Sequence, residues 1–170
     1  MNKGLVHIYT GNGKGKTTAA IGLATRCAGH NRKVCVYQFL KSMNTGELTS
    51  LKKLGIKIVQ INSSGKFYSD MTEEEKELTR EEIKNNLKAL FIPQYDMVVM
   101  DEIICAVDLG IVDVNILIDI IKNKPFNTEL VLTGRNMPHE LLKYADYVSE
   151  IKCVKHPYTN GVDARCGIDF

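Results

Sequence analysis

The stretch Thr10-Gly11-Asn12-Gly13-Lys14-Gly15-Lys16-Thr17-Thr18 has the residue types and spacing needed to hold a polyphosphate. Glycines let the backbone curl so that successive N–H groups point inward and form an anion nest. A helix opening at Lys16 adds the positive end of its dipole. Lys16 supplies a mobile point charge to the terminal phosphates, and the Thr17 hydroxyl is placed to ligate magnesium. The usual first glycine of such a loop is replaced by Thr10, but Gly11 and Gly13 still provide the turn. The motif follows an apolar strand and precedes a helix, which is the context it requires. Residues 10–18 are therefore the expected nucleotide site, with Lys16 and Thr17 as its working side chains.

A second element is the run Val98-Val99-Met100-Asp101-Glu102. Apolar strand residues deliver an acidic pair to the strand's C-terminal end, the edge at which open α/β sheets bind ligands. Asp101 or Glu102 is expected to reach the magnesium, directly or through water. Gln38 and Lys41 end another strand at the same edge and are further candidates. His7, His30 and His139 read as structural. The acidic run at 73–77 reads as a solvated first turn favoured by the helix dipole. Five cysteines, an odd number with no C-x-x-C pair, lack the clustered spacing of a zinc site. They read as reduced thiols, with Cys27, Cys35 and Cys105 inside apolar segments.

These residues need a scaffold, and the pattern supplies one. Strands are expected at 5–10, 34–40, 56–61, 95–100, 129–133 and 146–151. Helices are expected at about 16–28, 48–54, from Thr72 to near Pro93, at 114–123 and, after Pro138, at 139–145. Ala19, Ala20, Leu23, Ala24 and Cys27 form the inner face of the first helix, and Gly29 ends it. Thr72 with Glu75 gives a capping box. The tail from Lys152 reads as β-like and irregular. Strands alternating with helices imply a parallel sheet covered on both faces, and the continuous apolar strand cores agree.

At 170 residues the chain has the size of one α/β domain, long enough to bury a core without staples. A formal net charge of +2 gives no argument for nucleic acid or a membrane surface. No apolar run approaches the roughly 20 residues of a membrane span. The strand pattern begins almost at once, so no signal peptide is expected and the location is expected to be cytoplasmic.

A phosphate loop names a nucleotide and not a reaction. The remaining blocks narrow it. The run TGNGKGKTTAAIGLATRCAGH at 10–30 closely resembles the loop of the ATP:corrinoid adenosyltransferases of the P-loop type. The likeness continues in V-x-V-x-QF-x-K at 34–41, Gly46-Glu47, Asp101-Glu102 and Thr133-Gly134-Arg135. It returns at Ala145-Asp146-x-Val148-Ser149-Glu150, Lys155-His156 and Gly167-Ile168-Asp169-Phe170.

The resemblance implies a single P-loop NTPase-like (RecA-like) α/β domain over 1–170, a mainly parallel sheet flanked by helices. It implies transfer of the 5′-deoxyadenosyl group of ATP to the Co(I) of a corrinoid, cobalamin or a precursor such as cob(I)yrinic acid a,c-diamide, with release of triphosphate. Magnesium, or manganese, is the implied metal, on Thr17, Asp101 and Glu102. A homodimer and an electron-donating reductase or flavoprotein are the implied partners. Arg26, on the helix after the loop, is an implied nucleotide contact. The family loop that presents an aromatic face to the corrinoid matches residues 64–68. Because the chain has no tryptophan, Phe67 and Tyr68 are the candidates there. Arg135 is expected to meet phosphate or a corrin amide, and His156 to touch the corrinoid. Arg165 stands where relatives carry glutamine. A P-loop ATPase or small-molecule kinase is the alternative; it yields ADP instead of triphosphate.

Overall fold

The computed structural model describes residues 3–41, 45–61, 65–66, 68–90 and 95–169. Among them six strands, β1 (Val6–Thr10), β2 (Val34–Gln38), β3 (Lys57–Gln60), β4 (Met97–Asp101), β5 (Glu129–Thr133) and β6 (Tyr147–Glu150), form one sheet. Their order is β3-β2-β4-β5-β1-β6, and all five pairings are parallel. Among the described residues five α-helices accompany them: α1 (Lys16–Gly29), α2 (Gly46–Lys53), α3 (Glu73–Ala89), α4 (Ile103–Asp108) and α5 (Val114–Asn123).

The two-residue period of the strands divides the core into two layers. Val34, Val36, Met97, Val99 and Val131 pack with Ala20 and Ala24 of α1 and Leu51 of α2. Their neighbours in sequence, among them Cys35, Tyr37, Val98, Met100, Leu130 and Leu132, face α3, α4 and α5 on the other side. Most of the expected elements are present with shifted ends. Thr72 caps α3 in a complete capping box with Glu75, worth about 1 kcal/mol.

Three expectations need correction, and one helix was unforeseen. The sheet is not covered on both faces throughout: every residue of β6 is exposed, because Tyr147-Val148-Ser149-Glu150 lacks the apolar run of the inner strands. Residues His139–Tyr144 form a 3-10 helix and not an α-helix. The tail contains a 3-10 turn at Pro157–Asn160 and no strand among its described residues. The six-residue α4, directly after Glu102, was not expected. All five cysteines are free thiols, Cys35 buried and Cys153 and Cys166 exposed. Among the described residues, no helix is long and apolar enough to cross a membrane.

The strand order decides where the site forms. The chain leaves β1, turns through the loop and returns as β2 three places along the sheet. To make that crossover α1 lies over β5 and β4. The first turn of α1 therefore ends above the C-terminal ends of β4 and β5, although neither adjoins β1 in sequence.

Candidate active site

Gly11 and Gly15 hold φ values of 101° and 119°, a region that side chains with a Cβ rarely enter. Gly15 caps the N-terminus of α1 from this conformation. Lys16 and Thr17 then lie in the first turn of the helix. The Lys16 ammonium donates to the loop's own Gly13 carbonyl at 2.7 Å. Burial lowers its pKa, and the Arg135 charge lowers it further. A partly desolvated cation with a single neutral acceptor is poised to exchange that carbonyl for an anion.

Thr17 faces inward. Its hydroxyl donates to Asp101 Oδ1 at 2.9 Å, and the Thr133 hydroxyl donates to the same oxygen at 2.7 Å. Thr133 in turn accepts from the Glu102 backbone N–H at 2.9 Å. Asp101 is 0% exposed, and its second oxygen accepts from the Lys41 ammonium at 2.9 Å. With its proton committed to Asp101, Thr17 turns its lone pairs outward, and Lys41 donates to them at 3.3 Å. Glu102 sits beside this group with φ 64°. Burial, and then the neighbouring Asp101 charge, push its carboxyl up.

The outer rim of the loop faces the C-terminal tail. The Gly13 N–H donates to the Ile151 carbonyl at 2.7 Å. The Cys153 N–H donates to Asn12 Oδ1 at 2.9 Å. Lys14 donates to the Ile168 carbonyl at 2.9 Å and pairs with Asp169, whose carboxyl it holds far below the ordinary range. A Cβ on Gly11 would come within 2.4 Å of the Ile151 carbonyl oxygen, and one on Gly13 within 2.8 Å. The loop thus has two sides. Lys16 and Thr17 serve the interior, while Asn12, Gly13 and Lys14 are engaged by the tail.

Of the other expected residues, Thr10 is buried and Thr18 exposed. Arg135 is exposed, and its charge lowers the pKa of Lys16 and opposes the rise at Glu102. Arg26 lies exposed in the last turn of α1, about 15 Å along the axis from Lys16, and is not brought to the loop. Tyr68 is half-buried, with the Lys76 ammonium 5.8 Å over its ring. His156 caps the 3-10 turn, its Nδ1 accepting from the Tyr158 N–H. Phe67 lies outside the described residues. No hydrogen bond or ring contact among the described residues joins Tyr68, Arg135 and His156.

Gly134 explains the small residue between Thr133 and Arg135. At φ 155° its missing Cβ would lie 2.6 Å from both the Cys105 nitrogen and the Ile104 Cβ. The start of α4 packs directly on the strand end, and that contact sets Thr133 under Glu102. Gly134→Ala should therefore destabilise the fold by about 2 kcal/mol through overpacking. Urea denaturation checks this, and a midpoint equal to wild type would refute the close-packing argument.

The family model described as ATP:corrinoid adenosyltransferase BtuR/CobO/CobP matches residues 2–170. The chain is 34% identical over 170 residues to the corrinoid adenosyltransferases of Escherichia coli K12 and Salmonella typhimurium, covering 99% of this chain and 86% of each relative. It is 34% identical to the Sinorhizobium enzyme of the same name, covering 81% of it. Among solved structures, the flagellar accessory protein FlaH of Methanocaldococcus jannaschii superposes with a TM-score of 0.62 at 13% identity. That match covers 88% of this chain and 72% of that one. A KaiC-like protein from Pyrococcus horikoshii gives 0.54 at 15% identity, covering 91% and 75%. These two likenesses concern the fold alone.

Proposed function

The chain belongs to the ATP:corrinoid adenosyltransferase family, and from that premise we propose how its site moves the 5′-deoxyadenosyl group of ATP onto the cobalt of a corrinoid. Co(I) of the substrate gives an electron pair to C5′ of the ribose. The bond from C5′ to the α-phosphate oxygen breaks, and the triphosphate leaves intact. Cobalt ends as Co(III) with a new cobalt–carbon bond, so electrons and atoms balance without a protein base. The protein's contribution is to position the two substrates, stabilise the leaving group and exclude water.

The observation that carries this reading is the convergence of Lys16, Thr17, Asp101 and Lys41 at one sheet edge, beneath a glycine turn. Charge grows on the departing triphosphate, and the loop amides with Lys16 meet it. Arg135, electrostatically close to Lys16, adds a second cation on that side. Asp101, which also accepts from Thr133, holds the Thr17 hydroxyl. Tyr68, with Phe67, is the proposed apolar face toward the corrinoid, and His156 a further contact.

The oxygen set fits a hard divalent cation. A cationic group, the Lys41 ammonium, already lies against Thr17 Oγ1 and Asp101 Oδ2. Magnesium or manganese suits such oxygens. Among the described residues, no group of three or more His, Cys, Asp or Glu side chains can hold a metal alone. Thr17 and Asp101, with Glu102 nearby, would hold it jointly with phosphate oxygens and water. When bound it supplies positive charge against the triphosphate.

A homodimer fits the exposed apolar residues on β6 and the tail, Tyr147, Val148, Val154 and Ile168. A cytoplasmic reductase or flavoprotein is the proposed electron source. The test is anaerobic: ATP, magnesium and chemically reduced cobalamin, followed by the corrinoid absorbance and product analysis. Triphosphate and an adenosylated corrinoid are expected in equal amounts from a protein whose molar mass in solution is twice that of the 19.0 kDa chain. ADP as the nucleotide product would instead favour a kinase or ATPase.

A further inference from the structure

The strand register sets three polar residues side by side at the ligand edge. Gln60 on β3 is opposite Gln38 on β2, and Gln38 is opposite Asp101 on β4. Gln38 is 0% exposed, a position where an amide costs free energy unless both its ends are used. They are used. Its carbonyl oxygen accepts from Gln60 Nε2 at 3.2 Å, and its Nε2 donates to Glu47 Oε1 at 3.2 Å. That Glu47 oxygen lies 3.8 Å from the Lys41 ammonium. The row of amides therefore aims a second carboxylate, from α2, at the cation already held by Asp101 and Thr17.

Lys41 is thus surrounded by Asp101 Oδ2 at 2.9 Å, Thr17 Oγ1 at 3.3 Å and Glu47 Oε1 at 3.8 Å. Two of these oxygen-bearing groups are the ones proposed above to hold the metal. An ammonium and a divalent cation repel strongly at such separations and cannot share one set of oxygens.

We propose that Lys41 is a tethered counter-ion that competes with the divalent cation for the Thr17, Asp101 and Glu47 oxygens, so that the site admits metal only when a polyphosphate brings further oxygens. The lysine balances the buried Asp101 charge while the protein waits for substrate. Bare metal gains little by displacing it. With ATP present the phosphate oxygens would add to Thr17 and Asp101 in holding the metal, and Lys41 would give up those oxygens and remain a cation close to the phosphate loop. Metal and nucleotide then bind with positive coupling, and Lys41 is the positioning residue that sets its size. Glu47, held by Gln38, is part of the same device.

This inference rests on the reading that the site takes a divalent cation, and its test does not depend on adenosyl transfer. Manganese(II) is titrated into the full-length protein without nucleotide, with free manganese read by its electron paramagnetic resonance signal. Lys41→Met keeps the stem and removes the charge. It should bind manganese at least about tenfold more tightly than wild type, and ATP should then tighten manganese binding by a smaller factor than it does in wild type. Lys41→Gln, which keeps a polar end, should shift affinity in the same direction, and thermal melting verifies that both variants are folded. Equal or weaker manganese binding in both variants overturns the proposal. Wild type that binds no manganese even with ATP overturns both the proposal and the metal reading beneath it. Tightening in a protein that makes no adenosylated corrinoid supports the counter-ion and overturns the assigned reaction.

Discussion

Lys16→Ala should lower the turnover of adenosyl transfer by about a hundred- to a thousandfold, with the fold intact. The magnitude is that of removing one preorganised donor from a site where negative charge develops. Lys16 is only partly buried and belongs to neither apolar cluster. Its ammonium bonds the carbonyl of Gly13, a buried residue. Truncation therefore leaves no cavity in the core but takes a partner from that carbonyl, so the melting temperature should fall by only a few degrees. The loss should appear mainly in kcat, because the triphosphate carries more charge on its leaving oxygen in the transition state than in the ground state. An anaerobic assay followed by corrinoid absorbance, alongside calorimetry with ATP, separates the two constants. Near-normal turnover in this variant would remove the phosphate loop from the chemistry altogether.

Asp101→Asn should do damage of two kinds. The carboxylate accepts at both oxygens: Oδ1 from Thr17 and Thr133, Oδ2 from Lys41. Asparagine keeps one acceptor oxygen and places an NH2 group against either the hydroxyls or the ammonium. With the NH2 toward Lys41 a donor meets a donor in a place with no exposed surface; turned the other way, Thr17 and Thr133 must both reverse their hydroxyls to accept. Lys41 also loses a close charge partner, and breaking a buried pair costs about 3 kcal/mol. Stability measured by urea unfolding should fall by roughly that amount, and turnover by about a thousandfold as Thr17 loses its anchor. The double variant Asp101→Asn with Lys41→Met should recover much of the stability, because the uncompensated charge is gone, and none of the activity. A double-mutant cycle measures this coupling. An Asp101→Asn protein as stable as wild type would contradict the network.

Some of this arrangement was legible before any coordinates, and the reason differs from residue to residue. The phosphate loop was readable because its chemistry is local: glycines, Lys16 and Thr17 occur within nine consecutive residues. The capping box at Thr72 and Glu75 was readable for the same reason. The four inner strands, β1, β2, β4 and β5, announced themselves as apolar runs. The short α4 did not, because six residues give fewer than two turns and no period to detect. The bareness of β6 was written in its polar composition, but the expectation of a uniformly covered sheet overrode it. Lys41 and Gln38 stood out only as polar residues at a strand end. Their partners became visible once β2 was found beside β4, a neighbour 63 residues away in the Gln38 and Asp101 pairing. The Thr133 hydroxyl was hidden inside a motif that resemblance alone had singled out. The tail's hold on Asn12, Gly13 and Lys14 joins positions about 140 to 155 residues apart, beyond the reach of any local pattern.

That wide spacing carries a consequence for how the enzyme comes into being. Thr17 and Asp101 are separated by 84 positions, and Lys14 meets a carbonyl 154 positions away. A half-finished chain, whether emerging during synthesis or partly melted, contains the glycine turn yet has nothing to close it with. A nucleotide that binds only the assembled site stabilises the complete fold over partly folded chains by mass action.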